Sequence, residues 1–214
     1  MPHKLIIVVT VGSPLALQSL NGANLISKAL STAHQFSIET SLSNRIFVAG
    51  EDISEIKEAT KELSFDFATL EVDPKNSGAL AKAISDLDFE MVAIHDSQRP
   101  LTRSTQFHRA LEGLFGCDAV RPTSAFTETL KTVGITAQLE HTLDRTKFRR
   151  VSSPEVIRRS VIDFAGNSSD WALPLLPGAR LSTVEADPDS LRINSAEEVS
   201  LLEAFLHWQQ KISN

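Results

Sequence analysis

Residues Phe89 to Pro100 read FEMVAIHDSQRP, and the fold follows from how this stretch is read. Met91 to Ile94 is a short apolar run of the kind buried on both faces of a parallel sheet. His95 and Asp96 follow at once, so an ionisable pair stands where the strand emerges at its carboxyl end. Pro100 has no amide hydrogen to give a ladder and closes the element. Open α/β sheets bind ligands just beyond the carboxyl ends of their strands. Asp96 is therefore a candidate metal- or phosphate-site carboxylate. Its local chemistry equally allows a structural part, in which it caps the following loop and pairs with Arg99.

Working outward toward the N-terminus, strand and helix alternate. Leu5 to Val11 is β-branched and runs into Gly12-Ser13-Pro14, turn chemistry that marks a strand instead of the apolar core of a signal sequence. Asn24 to Ala33 carries Leu25, Ile26, Ala29 and Leu30 at helical spacing. Arg45 to Ala49 is a second strand, closed by Gly50. Asp52 to Leu63 is an amphipathic helix with Ile53, Ile56, Ala59 and Leu63 on one face. Phe65 to Val72 approaches or forms a third strand. Asn76 or Ser77 can cap a helix whose core face is Leu80, Ala83, Ile84 and Leu87. After the central strand comes a helix with Phe107, Ala110, Leu111 and Leu114 inward. Strands and helices alternating across short turns imply parallel strands and right-handed crossovers. The expectation is a doubly wound, Rossmann-like α/β domain.

Beyond Val120 the rhythm changes. Thr127 to Val133 and Gln138 to Leu143 are β-rich runs separated by Gly134-Ile135-Thr136-Ala137, a hairpin pattern inserted in an α/β chain. Such an arm has little core of its own, so it is expected to lean on another subunit or over a site. Arg145, Lys147, Arg149 and Arg150 then place four positive charges close together, either a solvated face or an anion site. Ser153-Pro154 reads as the start of a helix through Ile162, and Leu181 to Ala186 as a late strand. Ser195 to Glu198 is a capping box that leads a final helix with Leu202, Phe205 and Ile212 on its buried stripe. The division expected is a single domain over 1–214, with 127–150 as its β-arm.

A net charge of −6 and a pI near 5.5 argue against a general nucleic-acid binder. The single cysteine, Cys117, cannot form an intrachain disulfide and fits a reducing cytoplasm. No apolar run approaches the length of a membrane span. The histidines and the cysteine show no zinc spacing, and no nucleophile elbow, P-loop or dinucleotide fingerprint is present. His95, His108 and His141 are conceivable bases, although a lone histidine is more often structural.

Five further segments join the central stretch in a family pattern. His95-Asp96-Ser97-Gln98-Arg99-Pro100 is similar to HDAARP, and Glu128-Thr129-Leu130-Lys131 to DT[IM]K. His141-Thr142-Leu143-Asp144-Arg145 resembles T-[VL]-[DP]-R, and Ser152 to Ile157 resembles [QT]-TPQ-x-F. Leu191-Arg192-Ile193-Asn194 with Ala196-Glu197-Glu198 resembles NIK-[IV]-T-x-x-[ED]-D, and Ser169-Asp170 stands where a TD pair is found. In their order along the chain and with comparable spacing, these motifs resemble the 2-C-methyl-D-erythritol 4-phosphate cytidylyltransferases of isoprenoid biosynthesis. The resemblance implies a Rossmann-like nucleotidyltransferase fold with an inserted β-arm, exchanged in a cytoplasmic homodimer. It implies that Asp96 holds Mg2+ beside the sugar phosphate. Thr129 and Arg145 would reach that phosphate from the other subunit's arm, with Ser153, Arg192 and Arg99 around it. Thr10, Val11, Gly12 and Ser97 would fall on the nucleotide side.

One part of the pattern is missing. The family's glycine-rich loop, AAG-x-G-x-R-x-G-x-x-x-PK, binds cytidine triphosphate (CTP) directly after the first strand. Here that region reads Thr10 to Gln18, TVGSPLALQ, in which only Gly12 matches and no basic residue occurs. The second nucleotide segment, GG-x-x-R-x-x-S, is replaced near Val72 to Ala79 by VDPKNSGA. Losing one preorganised donor costs about 100- to 1,000-fold in rate. The expectation is a cytidylyltransferase-like protein with impaired or lost transfer and weak CTP binding, unless Lys75 or an arm residue supplies a cation. The alternative is a non-catalytic paralogue that binds a phosphorylated ligand or an active relative. A transferase of another base specificity would need the same missing loop.

Overall fold

The computed structural model describes residues 4–168 and 170–212, with the side chains of 209, 210 and 212 outside that description. The first half alternates as β1 (Lys4–Thr10), α1 (Leu25–Glu39), β4 (Ser43–Gly50), α2 (Ile53–Ala59), β5 (Ala68–Glu71), α3 (Ser77–Ile84), β6 (Met91–Asp96), α4 (Ser104–Glu112) and β7 (Ala119–Ala125). A two-residue pair, β2 (Ser19–Leu20) and β3 (Ala23–Asn24), lies between β1 and α1. The second half adds β8 (Lys131–Val133), β9 (Leu139–Thr142), β10 (Arg149–Val151), β11 (Glu155–Arg158), β12 (Leu181–Glu185) and α5 (Ala196–Ile212).

One sheet runs β10-β7-β11-β6-β1-β4-β5, with β12 parallel to β7 on a side branch. β1 pairs in parallel with both β4 and β6, so the chain leaves β1 toward one side and returns to the other. That reversal is the switch point at which doubly wound sheets bind ligands. Side chains alternate across it. Leu5, Ile7 and Val9 pack with Met91, Ala93, Val156 and the helical Phe36 and Phe107 on one face. Ile6 and Val8 pack with Val92, Ile94, Ile157 and the α3 residues Leu80 and Ile84 on the other. Burial on both faces explains why these strands read as continuous apolar runs.

The Rossmann-like α/β expectation holds, with several local corrections. No helix opens at Ser153-Pro154. Instead β11 inserts antiparallel between β6 and β7, and a 3-10 turn at Arg159–Val161 follows. Val156 and Ile157 bury into opposite layers, a period of two that outweighs a local sequence readable as helix. α1 continues to Glu39, beyond the expected Ala33, because Phe36 adds another buried position. α2 stops at Ala59, short of Leu63, where the Thr60 hydroxyl donates to Ile56 O (2.7 Å). β6 extends through Asp96, so the ionisable pair belongs to the strand. Asn76 is the cap of α3, its Oδ1 accepting from Ala79 N, and Ala81 is buried where Ala83 was expected.

The arm forms, as the short antiparallel β8–β9 pair. The basic run splits into a 3-10 turn at Arg145–Lys147 and strand β10 on the sheet edge. At α5, Ser195 Oγ accepts from Glu198 N, while Glu198 Oε2 accepts from Asn194 N, one residue earlier than a capping box requires. Phe205 is 42% exposed, Leu202 is partly buried, and the Ile212 side chain lies outside the described residues, so Val199 is the buried contact of this helix. Among the described residues no helix is long and apolar enough to cross a membrane.

Candidate functional site

The carboxyl ends of β1 and β6 are in register, with Thr10 opposite Asp96. Beyond them opens a cavity of about 300 Å³ lined by Thr10, Gly12, Lys75, Asp96, Arg99, Ser153, Glu155 and Arg192, among others. Lys75, Arg99 and Arg192, from three separate loops, thus converge at the switch point on the carboxylate that ends β6.

Asp96 takes the structural part in one respect and departs from it in another. Its Oδ1 accepts from Gln98 N (2.9 Å), capping the loop as local chemistry allowed. Its ion pair, however, is with Arg192, Nε to Oδ2 at 2.7 Å, and not with Arg99. Arg192 also donates to Gln98 Oε1 (2.8 Å) and Asn194 Oδ1 (2.6 Å), so its guanidinium is held by three partners where it lines the cavity. Arg99 donates to Ser190 O (2.7 Å) and Val151 O (2.8 Å). Burial lowers the Arg99 pKa; Asp96 opposes that shift, while Arg192 and Arg150 add to it.

Ser153 and His95 sit behind Asp96. The Ser153 hydroxyl accepts from Asp96 N (3.1 Å) and lies 2.9 Å from His95 Nδ1. His95 is fully buried, and desolvation brings its pKa down to about 4 against a small opposing pull from Asp96. It is a neutral spacer under the site, not a base exposed to a ligand. His108 pairs with Glu39 (3.1 Å) on the α1–α4 surface, and His141 is exposed on the arm.

The nucleotide-side residues divide. Thr10 and Gly12 line the cavity. Val11 donates its amide to Ala49 O (2.8 Å) and packs on the core. Ser97 is fully buried, its hydroxyl donating to Thr10 O (2.7 Å), and it ties β6 to β1 without reaching the cavity. After Gly12 the chain forms a 3-10 turn at Pro14–Leu17 capped by Ser13 Oγ on Leu15 N (3.2 Å). Thr129 and Arg145 are exposed on the arm and do not line the cavity of their own chain. Arg145 donates to Thr127 O (2.5 Å). Ser169, half of the sequence pair Ser169-Asp170, lies outside the described residues.

Several site-building residues carry no local sequence signal. Gln98, 2% exposed, donates to Ile193 O (2.5 Å) while its Oε1 receives Arg192, which docks the 190s segment onto the site. Gln106, fully buried on α4, donates to Ser153 O (2.6 Å) and accepts from Asp187 N. Glu155 faces the cavity floor and pairs with Arg121 at 3.1 Å, while Ala172 N donates to its other oxygen (2.8 Å). Burial raises the Glu155 pKa; Arg121 and that amide oppose the rise. Arg121 in turn lies over the Trp171 ring, 3.6 Å from its centroid.

Asp96 alone offers a surface carboxylate for a divalent ion, and among the described residues no three acidic, histidine or cysteine side chains form a metal cage. One carboxylate suits magnesium, which keeps several waters and takes further ligands from phosphates.

A doubly wound sheet with a cation-lined cavity at its switch point defines an α/β protein of the nucleotidyltransferase-like class. Solved structures support this: 4-diphosphocytidyl-2C-methyl-D-erythritol synthase from Anaerococcus prevotii superposes with a TM-score of 0.76 at 14% identity, covering 96% of this chain and 99% of that one. The 2-C-methyl-D-erythritol 4-phosphate cytidylyltransferase from Thermus thermophilus gives 0.70 at 16% identity, covering 94% and 98%. Residues 9–207 match the family model described as IspD, 2-C-methyl-D-erythritol 4-phosphate cytidylyltransferase. A protein so named from Saccharopolyspora erythraea is 28% identical over 214 residues, covering 91% of this chain and 92% of its own. The chain belongs to the 2-C-methyl-D-erythritol 4-phosphate cytidylyltransferase family.

Proposed function

We propose that this protein binds a small phosphorylated polyol, methylerythritol 4-phosphate in the first instance, and that its cytidylyl transfer is impaired or lost. The observation that carries the reading is an asymmetry within one cavity. Arg99 and Arg192 line the side expected to take the sugar phosphate, Arg192 standing where the family pattern has a lysine, whereas the loop after β1 is a capped 3-10 turn with no basic residue.

In the family reaction a substrate phosphate oxygen attacks the α-phosphorus of CTP and pyrophosphate leaves. Phosphoryl-type transfer depends on positioning and charge stabilisation rather than on acid–base groups. Arg192 and Arg99 would take the sugar phosphate, with Arg192 exchanging its hold on Asp96 for the ligand. Ser153 would fix the end of β6 through Asp96 N, and Gln98 would hold Arg192 in place. Magnesium, held by Asp96, would screen the phosphate charges in such a reaction. What is lacking is a basic loop to align the triphosphate.

The arm supports an exchanged homodimer in this reading. Val133, Ile135 and Leu139 are 63%, 108% and 70% exposed, apolar surface that a second copy can cover. Thr129 and Arg145 would then complete the partner's phosphate site. The same arm could instead pair this chain with an active relative, the non-catalytic alternative.

A pyrophosphate-release assay with CTP, methylerythritol phosphate and magnesium tests the reading, with Asp96→Ala as a blank. The expected rate is at least about 100-fold below the usual enzyme range of roughly 1–1,000 per second. Turnover inside that range, abolished by Asp96→Ala, would overturn the impairment.

A further inference from the structure

Lys75 is the cation of this cavity that the sugar-phosphate reading leaves unused. It lies in the loop between β5 and α3, exposed, and lines both the Asp96 cavity and a neighbouring one of about 520 Å³ formed with Asp73, Asn76, Asn167 and Ser168. Its stem runs over Gly12: a β-carbon built there would stand 3.6 Å from Lys75 Cε and 3.7 Å from Cγ. The lysine therefore covers the beginning of the loop that lacks charge of its own.

The charge balance of the cavity points the same way. Asp96 offsets Arg192, and Glu155 is offset by Arg121. Arg99 also feels Asp96 and is held by two carbonyls, whereas among the described residues the Lys75 ammonium has no hydrogen-bond or ion-pair partner. Asp73 is the nearby opposing charge, but its Oδ1 accepts from Lys75 N (2.9 Å) in a local turn. A phosphate monoester is served by the two arginines. A third, unengaged cation on the Gly12 side fits a ligand with several phosphates.

We propose that Lys75 supplies, from the β5–α3 loop, the charge that the loop after β1 lacks, and that it takes the outer phosphates of a nucleoside triphosphate over Gly12. This deepens the preceding reading and rests on it. A single flexible lysine gives triphosphate binding, while the alignment that a preorganised loop would provide stays absent.

Calorimetric titration with CTP, cytidine monophosphate, inorganic tripolyphosphate and methylerythritol phosphate separates the two claims. Wild type should bind CTP and tripolyphosphate more tightly than the monophosphate. Lys75→Gln should weaken both by about 10- to 100-fold, the range of a hydrogen bond to a charged group, and leave methylerythritol phosphate unchanged. Lys75→Arg should restore triphosphate binding. Equal CTP affinity in wild type and Lys75→Gln, or no preference for CTP over the monophosphate at millimolar concentration, overturns the lysine's role. In either case, loss of methylerythritol phosphate binding in Arg192→Ala would leave the sugar-phosphate reading standing. If Arg192→Ala loses nothing while Lys75→Gln loses CTP, the lysine's role survives and the preceding reading falls.

Discussion

Arg192 Nε lies 2.7 Å from Asp96 Oδ2, joining two residues 96 positions apart that both line the cavity. Each is the side chain proposed to meet a ligand on its side, and here each holds the other. A phosphate that drew Arg192 away from Asp96 would free that carboxylate for a cation, and a cation that drew Asp96 away would free Arg192. On the proposed reading, phosphate and magnesium would therefore assist one another.

Arg192→Ala should accordingly have two opposite effects. Affinity for methylerythritol phosphate should fall about 10- to 100-fold through loss of a charge-assisted contact. Magnesium affinity should rise, because Asp96 loses its competitor. Calorimetry with each ligand alone reads both; unchanged phosphate affinity would reduce Arg192 to a loop clamp.

His95 gives a pH signature. Its folded-state pKa of about 4 lies below the ordinary 6.5, so the unfolded chain takes up the proton first as pH falls. Stability from this group is complete above about pH 6.5 and is lost on acidification toward pH 4, by about 3 kcal/mol. Glu155 acts in the opposite sense, because burial raises its pKa. The wild type should therefore be compared with His95→Gln in urea unfolding at pH 7 and pH 4. The difference should move by about that amount against the wild type, and a constant difference would show that His95 is hydrated.

Under the cavity floor, Arg121 and Glu155 form an ion pair with both side chains largely buried. Removing one partner of such a pair costs about 3–5 kcal/mol, whereas replacing both with apolar groups is often neutral. Arg121→Met should destabilise by about 3 kcal/mol, and adding Glu155→Leu should recover most of it in denaturant unfolding. Equal losses in single and double variants would contradict the coupling.

Light scattering at micromolar concentration should report a dimer, and replacing residues 129–143 by a short polar turn should give a folded monomer. A wild-type monomer would leave the exposed Ile135 and Leu139 without the proposed cover.

The layers of the fold were legible because Leu5 to Val9 and Met91 to Ile94 bury both faces, a condition written into every residue of those runs. Strand β11 was not, since a four-residue segment beside a proline has no decisive period and takes its state from its neighbours β6 and β7. Asp96 could be singled out by its place at a strand end. Its pairing with Arg192 and the support from Gln98 and Gln106 could not, because a buried amide looks locally like an exposed one and its partners lie far along the chain.

Leu20 and Leu25, at the end of the loop after β1, pack against Ile193 and Val199, and Asn21 N donates to Glu203 Oε1 (2.7 Å) on α5. Ile193 is the immediate neighbour of Arg192. The uncharged loop after β1 is thus the seat of the segment that carries Arg192. A longer, basic loop grafted in its place would press on Ile193 and shift Arg192 with it. A change on the Gly12 side of the cavity is therefore felt through the C-terminal helix as well.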